Sequence, residues 1–86
     1  MKFITSKQFD KSFSKLPKKI KDKSLKQFEL FIFDPADVRL NNHSLNGKWS
    51  KYRSINITGD IRAIYKFVDQ NVARFVEIGS HSELYE

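Results

Sequence analysis

The 86-residue chain contains no cysteine. That absence removes disulfides, thiolate nucleophiles and the cysteine-rich structural zinc sites together, and it fits a reducing cytoplasm. Glycine is scarce, with only Gly47, Gly59 and Gly79, and proline occurs only as Pro17 and Pro35. So few breakers exclude a low-complexity linker, and neither a glycine-rich phosphate cradle nor a Gly-x-Ser-x-Gly elbow can be assembled from them. No apolar run approaches the roughly 20 residues of a membrane helix. The opening Met-Lys-Phe-Ile-Thr-Ser-Lys also lacks the apolar stretch of a signal peptide. The two histidines, His43 and His81, lie far apart in sequence with no tight carboxylate cluster around them. No metal-ligand set is legible, and no cofactor is expected.

What is present is apolar bulk and positive charge. Hydrophobic residues make up 40% of the chain and include eight phenylalanines, enough for one modest core, so residues 1–86 are expected to form a single domain. The formal charge is +6, and it is unevenly placed. Nine lysines fall between Lys2 and Lys26, whereas all the arginines, Arg39, Arg53, Arg62 and Arg74, come later. Lysine is a mobile point charge and arginine a planar fork suited to phosphate. The pattern therefore describes a diffuse attracting face followed by a more specific site, with nucleic acid the first expectation for a partner and an acidic protein the second.

Along the chain, Lys2 to Thr5 is β-prone, and Thr5 with Gln8 three residues later has capping-box spacing, so a first strand hands over to a helix near Ser6. Phe9, Phe13 and Leu16 recur at helical spacing up to Pro17. Beyond it Ile20, Leu25, Phe28, Phe31 and Ile32 continue an apolar stripe with lysines outside. Asp34-Pro35 stops this second helix and can cap a short turn through Leu40. From Lys51 the period changes to two: Tyr52, Ser54 and Asn56 face one way, Arg53, Ile55 and Ile57 the other. Thr58-Gly59 and Asp69-Gln70 are turns between strands at Ile61–Val68 and Val72–Ile78. Ser80 and Glu83 form a second capping box, opening a last helical turn through Leu84 and Tyr85. The order β-α-α-β-β-β predicts an α+β fold, a helical hairpin packed on a twisted antiparallel sheet, whose other face presents Tyr52, Ser54, Asn56, Asp60 and Arg62.

The stretch from His43 to Arg62 holds one of the two histidines, the single tryptophan and two arginines. His43 and His81 with Asp60, Arg53, Arg62, Lys48 and Lys51 amount to the equipment for metal-independent cleavage of RNA. That reaction needs a base for the ribose 2′-hydroxyl, cations for the phosphorane and an acid for the leaving 5′-oxygen. Spacing alone leaves open a loop-packing role for His43 and a capping role for His81.

Four segments resemble the successive motifs of the YafQ branch of the RelE/ParE toxins: His43-Ser-Leu-Asn-Gly-Lys-Trp49, Tyr52-Arg53-Ser54, Gly59-Asp60-Ile-Arg62-Ala-Ile-Tyr65, and Ile78-Gly79-Ser80-His81-Ser-Glu-Leu-Tyr85. The first half of the chain agrees in layout rather than in motif. The resemblance implies the toxin of a type II toxin-antitoxin pair, a ribosome-dependent mRNA endonuclease with a β-α-α-β-β-β fold, neutralised by a cognate antitoxin. It places His43, Asp60 and His81 on catalytic positions, Arg62 on a phosphate-stabilising one and Tyr85 on an aromatic position near the nucleotide. Ser54 and Asn56 depart from the pattern, since some members carry an aspartate and a histidine there. The alternative is a non-catalytic basic module on the same fold that binds RNA or, like ParE-type relatives, gyrase.

Overall fold

Ser6 is the residue at which extended chain becomes helix. β1 (Lys2–Thr5) ends there. The Ser6 backbone stays extended and its hydroxyl accepts from the Phe9 amide at 3.0 Å, so α1 (Lys7–Ser14) begins with one orphan donor satisfied. The cap is thus Ser6 and not Thr5, whose hydroxyl donates to Asp10 at 2.7 Å instead. The computed structural model describes residues 1–85.

Pro17 occupies the cap of α2 (Lys18–Phe33), where its missing N–H costs nothing. The buried face of α2 runs through Ser24, Gln27, Phe28 and Phe31, while Leu25 and Ile32, expected inward, are 56% and 43% exposed. Leu25 and Ile32 are seven residues apart and share a stripe beside the buried one, so the inward face combines Phe28 and Phe31 with the polar Ser24 and Gln27. Those polar groups are satisfied: Ser24 donates to the Ile20 carbonyl at 2.8 Å and Gln27 Nε2 to the Asn56 carbonyl at 2.8 Å. Asp34 ends α2, but the 3₁₀ turn Val38–Leu40 is capped by Asp37, which accepts from the Arg39 amide at 2.9 Å. The Arg39 guanidinium and amide bonded to Asp37 hold its carboxyl at about 2. After Asn41 come β2 (His43–Ser44), a second 3₁₀ turn at Gly47–Trp49, β3 (Arg53–Asn56), β4 (Ile61–Asp69), β5 (Val72–Ser80) and α3 (His81–Tyr85).

The five strands form one sheet in the order β1-β5-β4-β3-β2. It is mixed rather than wholly antiparallel. β1 pairs parallel to β5, with Phe3 opposite Ala73, while every other pairing is antiparallel. The long connection through both helices permits a parallel neighbour that a tight hairpin could not make, and residue alternation carries no information on strand direction. A register shift in β5 takes Ile64 opposite Glu77 and Tyr65 opposite Phe75, skipping Val76, so that Phe75 and Ile78 both face the helices although three residues apart.

On that face Phe9, Phe28, Phe31, Tyr65 and Phe75 pack with ring centroids 4.9 to 6.0 Å apart, around Ile55, Ile57, Ala63 and Ala73. The opposite face carries His43, Ser54, Asn56, Ile64 and Arg62, as the pairs His43–Ser54, Ser54–Ile64 and Asn56–Arg62 require. It is not left open throughout. Ser54 and Ile64 are fully buried, and Leu84 of α3 is buried with them. What remains uncovered on this face is a cleft.

Candidate active site

Three tethers fix α3 against the sheet. Ser80 and Glu83 form the expected capping box, the Ser80 amide donating to Glu83 Oε1 at 2.8 Å and the Glu83 amide to Ser80 Oγ at 3.2 Å. Hydrogen bonding from the Ser80 amide and then its hydroxyl holds the Glu83 carboxyl below the ordinary carboxylate range. The His81 amide donates to the Asp60 carbonyl at 3.1 Å, and Trp49 Nε1 donates to the Leu84 carbonyl at 2.8 Å. Gly79 allows the close approach, since a Cβ there would stand 3.3 Å from Glu83 Oε1.

Between α3 and β2 lies a cleft of about 450 Å³, lined by Asn41, His43, Arg62, His81 and Tyr85, with residues 44–46 along its rim. Each functional group is oriented by a neighbour. Asn41 stands in the left-handed region (φ 47°, ψ 48°) at the end of the 3₁₀ turn, and its carbonyl lies 2.8 Å from His43 Nδ1. A carbonyl can only accept, so Nδ1 carries the hydrogen and the neutral ring keeps its lone pair on Nε2. Arg62 Nη1 donates to the Thr58 and Gly59 carbonyls at 3.0 and 2.8 Å, which anchors one corner of the guanidinium to the β3–β4 turn and leaves its other donors for the cleft. His81 and Tyr85 meet edge to face, ring centroids 4.6 Å apart. The Tyr85 hydroxyl is buried with no hydrogen-bond partner among the described residues, so its ring, not its oxygen, is what the cleft wall offers.

The structure therefore brings together His43, Arg62, His81 and Tyr85, and it adds Asn41, which the sequence marks only as turn chemistry. Asp60 stands on the exposed β3–β4 turn beside the cleft and joins it through its backbone carbonyl. Lys48 lies in the 3₁₀ turn with Nζ 5.7 Å from the Trp49 ring, and Lys51 is exposed in a left-handed turn conformation, φ 77°. Neither forms the cleft wall. Arg53 is on the helix-facing side of β3, where it lines a separate cavity of about 230 Å³ with Pro35 and Phe67. Its Nε donates to Asn42 Oδ1 at 2.8 Å, and Asn42 in turn donates to the Tyr65 hydroxyl at 2.7 Å and the Pro35 carbonyl at 2.9 Å. Ser54 Oγ and Asn56 Oδ1 are buried without partners among the described residues, and neither can titrate near neutrality. Among the described residues no group of three histidine, cysteine or carboxylate side chains is placed to hold a metal.

A mixed sheet covered on one face by a helical hairpin is the α+β fold of the RelE/ParE-like toxins. The YoeB/ParE toxin from Agrobacterium tumefaciens superposes with a TM-score of 0.77 over 94% of this chain and 99% of that one at 15% identity, a likeness of fold. YafQ from E. coli strain BL21(DE3) superposes with a TM-score of 0.79 at 26% identity, covering 98% of this chain and 97% of that one. The E. coli DinJ-YafQ toxin-antitoxin complex gives 0.76 at 26%, covering 98% and 96%. Residues 1–86 match the family described as the bacterial toxin of type II toxin-antitoxin system, YafQ. The chain belongs to the YafQ toxin family. No curated protein sequence matches it.

Proposed function

We propose that this toxin is a ribosome-dependent mRNA endonuclease working in the cytoplasm by metal-independent general acid-base chemistry. The observation that carries the proposal is the shared cleft of His43 and His81 with Arg62, in which the Asn41 carbonyl engages His43 Nδ1 and leaves Nε2 to the cleft. In this reading His43 Nε2 takes the proton of a ribose 2′-hydroxyl, and the 2′-oxygen attacks the adjacent phosphorus. The bond to the 5′-oxygen breaks, and that oxygen leaves with a proton from His81. Arg62 stabilises the charge gathering on the phosphorane, and the Tyr85 ring stacks on a base. The products are a 2′,3′-cyclic or 3′-phosphate and a 5′-hydroxyl. Asp60 orders α3 through its carbonyl in place of acting as the base, and Lys48, Lys51 and the lysines of α1 and α2 attract the ribosomal RNA and the message.

The second partner is an antitoxin. E. coli YafQ is held in a complex with DinJ, and a formal charge of +6 suits this chain to an acidic polypeptide that covers its cleft. Purified toxin incubated with mRNA-programmed ribosomes and with free mRNA, followed by mapping of the RNA ends, tests the proposal. Cleavage confined to ribosome-bound message, with 5′-hydroxyl ends, is the expected result. Arrested translation without cut message, or DNA damage in place of translation arrest, would instead identify a binding module on the same fold.

A further inference from the structure

Asn41 stands in a backbone region that few non-glycine residues adopt. It is one of two non-glycine residues with positive φ among those described, the other being Lys51 on an exposed turn. Asparagine tolerates the left-handed region because its short side chain crowds the backbone little, whereas β-branched residues are excluded from it. The Asn41 amide donates to the Val38 carbonyl at 3.2 Å, closing the 3₁₀ turn, and the next carbonyl along the chain, that of Asn41 itself, is thereby swung onto His43 Nδ1 at 2.8 Å. The Asn41 side chain makes no hydrogen bond to a described residue. What this position contributes to the cleft is a backbone acceptor at a fixed place.

We infer that Asn41 is a positioning residue whose left-handed backbone fixes the Nδ1–H tautomer of His43 and so keeps the Nε2 lone pair directed into the cleft. The inference rests on the nuclease reading for its effect on catalysis, but the tautomer itself does not. A histidine with no such partner has both neutral tautomers available, and the one with hydrogen on Nε2 cannot accept a proton there. The carbonyl removes that non-productive form. It acts as the orienting partner of a catalytic histidine does elsewhere, with a main-chain oxygen in the role usually given to a carboxylate.

The test compares Asn41→Gly, which keeps the left-handed region accessible, with Asn41→Val, which does not, and with the milder Asn41→Ala. Imidazole nitrogen-15 shifts of His43 in the intact protein report the tautomer directly, and single-turnover cleavage on programmed ribosomes reports its consequence. Wild type and Asn41→Gly should both show the Nδ1–H signature. Asn41→Val should shift the ring toward Nε2–H and lose at least about tenfold in cleavage, within the roughly 10²- to 10⁴-fold that a general base supplies, with Asn41→Ala between. Should Asn41→Val prove poorly folded, the Asn41→Ala shift decides. An unchanged tautomer in Asn41→Val and Asn41→Ala would overturn the inference, as would an Asn41→Gly protein as impaired as Asn41→Val, which would assign the role to the side chain. Wild-type protein with the Nδ1–H signature that fails to cut message would defeat the nuclease reading while supporting the Asn41–His43 relation.

Discussion

Trp49 Nε1 donates to the Leu84 carbonyl at 2.8 Å, joining a turn that contributes nothing to the cleft wall to the helix that contributes two of its residues. Five residues of helix are far too few to persist in water unaided, so α3 exists because it is tied down. Trp49 is itself held by Tyr52, ring centroids 5.4 Å apart, and Lys66 Nζ sits 5.2 Å over the Tyr52 ring.

Trp49→Phe keeps most of the ring packing and deletes the donor. The Leu84 carbonyl is then left without its partner, at a cost of about 0.5–1.5 kcal/mol. Amide hydrogen exchange over residues 81–85 should accelerate, while that of β4 and β5 changes little. Equal protection of α3 in wild type and variant would show that the indole bond is not what holds it.

The capping box makes α3 sensitive to acid. The Glu83 carboxyl is lowered from its ordinary 4.5 in the folded protein. The stabilisation is therefore fully present above that ordinary value and is lost as pH falls through the lowered folded one. Asp37, lowered from 3.8 to about 2 by Arg39, adds the same sign over that interval at the Val38–Leu40 turn. Glu83→Gln, which keeps an acceptor for the Ser80 amide but cannot titrate there, should be less stable than wild type at neutral pH. It should also show a flatter decline in melting temperature on acidification. Parallel pH profiles for the two proteins would contradict the assignment.

Ser54 gives a prediction of opposite sign. Its Oγ is buried with no partner among the described residues, so Ser54→Ala removes an unsatisfied oxygen and should be neutral or slightly stabilising. Ser54→Asp would place a carboxylate at a fully buried position and should cost several kcal/mol, on the order of an unpaired buried charge after relaxation. Thermal melts of the two variants measure this. A stable Ser54→Asp protein would mean that this part of the sheet opens readily to water.

Local signals were the most legible part of the sequence. The Ser80–Glu83 box, the alternation along β3 and the turns after β3 and β4 depend on residues within a few positions of one another, and each stands within one residue of where the pattern puts it, the second turn falling at Gln70-Asn71 because Asp69 still belongs to β4. Signals that depend on distant partners were not legible. Nothing in Lys2–Thr5 states that it pairs parallel to β5, and the Leu25–Ile32 stripe differs from the true inward face by a rotation that only packing against the sheet decides. The alternation already set Arg53 opposite Ser54 and Asn56, and the structure keeps it there, bonded to Asn42 away from the cleft. Asn41 carried a faint signal, an asparagine two residues before a histidine, but asparagine suits many turns, and its φ of 47° is visible only in the fold.

The lysines of the helical half should act collectively. Lys18, Lys19, Lys21 and Lys23 lie in the first two turns of α2, and the one ion pair they make with a described residue, Lys18 with Asp22 at 3.4 Å, is exposed and weak. Replacing all four with glutamine should flatten the salt dependence of ribosome binding, by roughly 0.7 for each single-strand phosphate that is no longer neutralised, while leaving the cleft intact. An unchanged slope would reduce this face to a solubility device.

Single-turnover cleavage on mRNA-programmed ribosomes with His43→Ala and His81→Ala measures whether His43 and His81 act as an acid-base pair across one cleft. Circular dichroism and ribosome affinity serve as controls for folding and binding. Each variant should bind ribosomes nearly as wild type does and lose about two to four orders of magnitude in cleavage rate, as expected for removal of a base or an acid. A folded His81→Ala or His43→Ala protein that cuts within about tenfold of wild type would contradict the account.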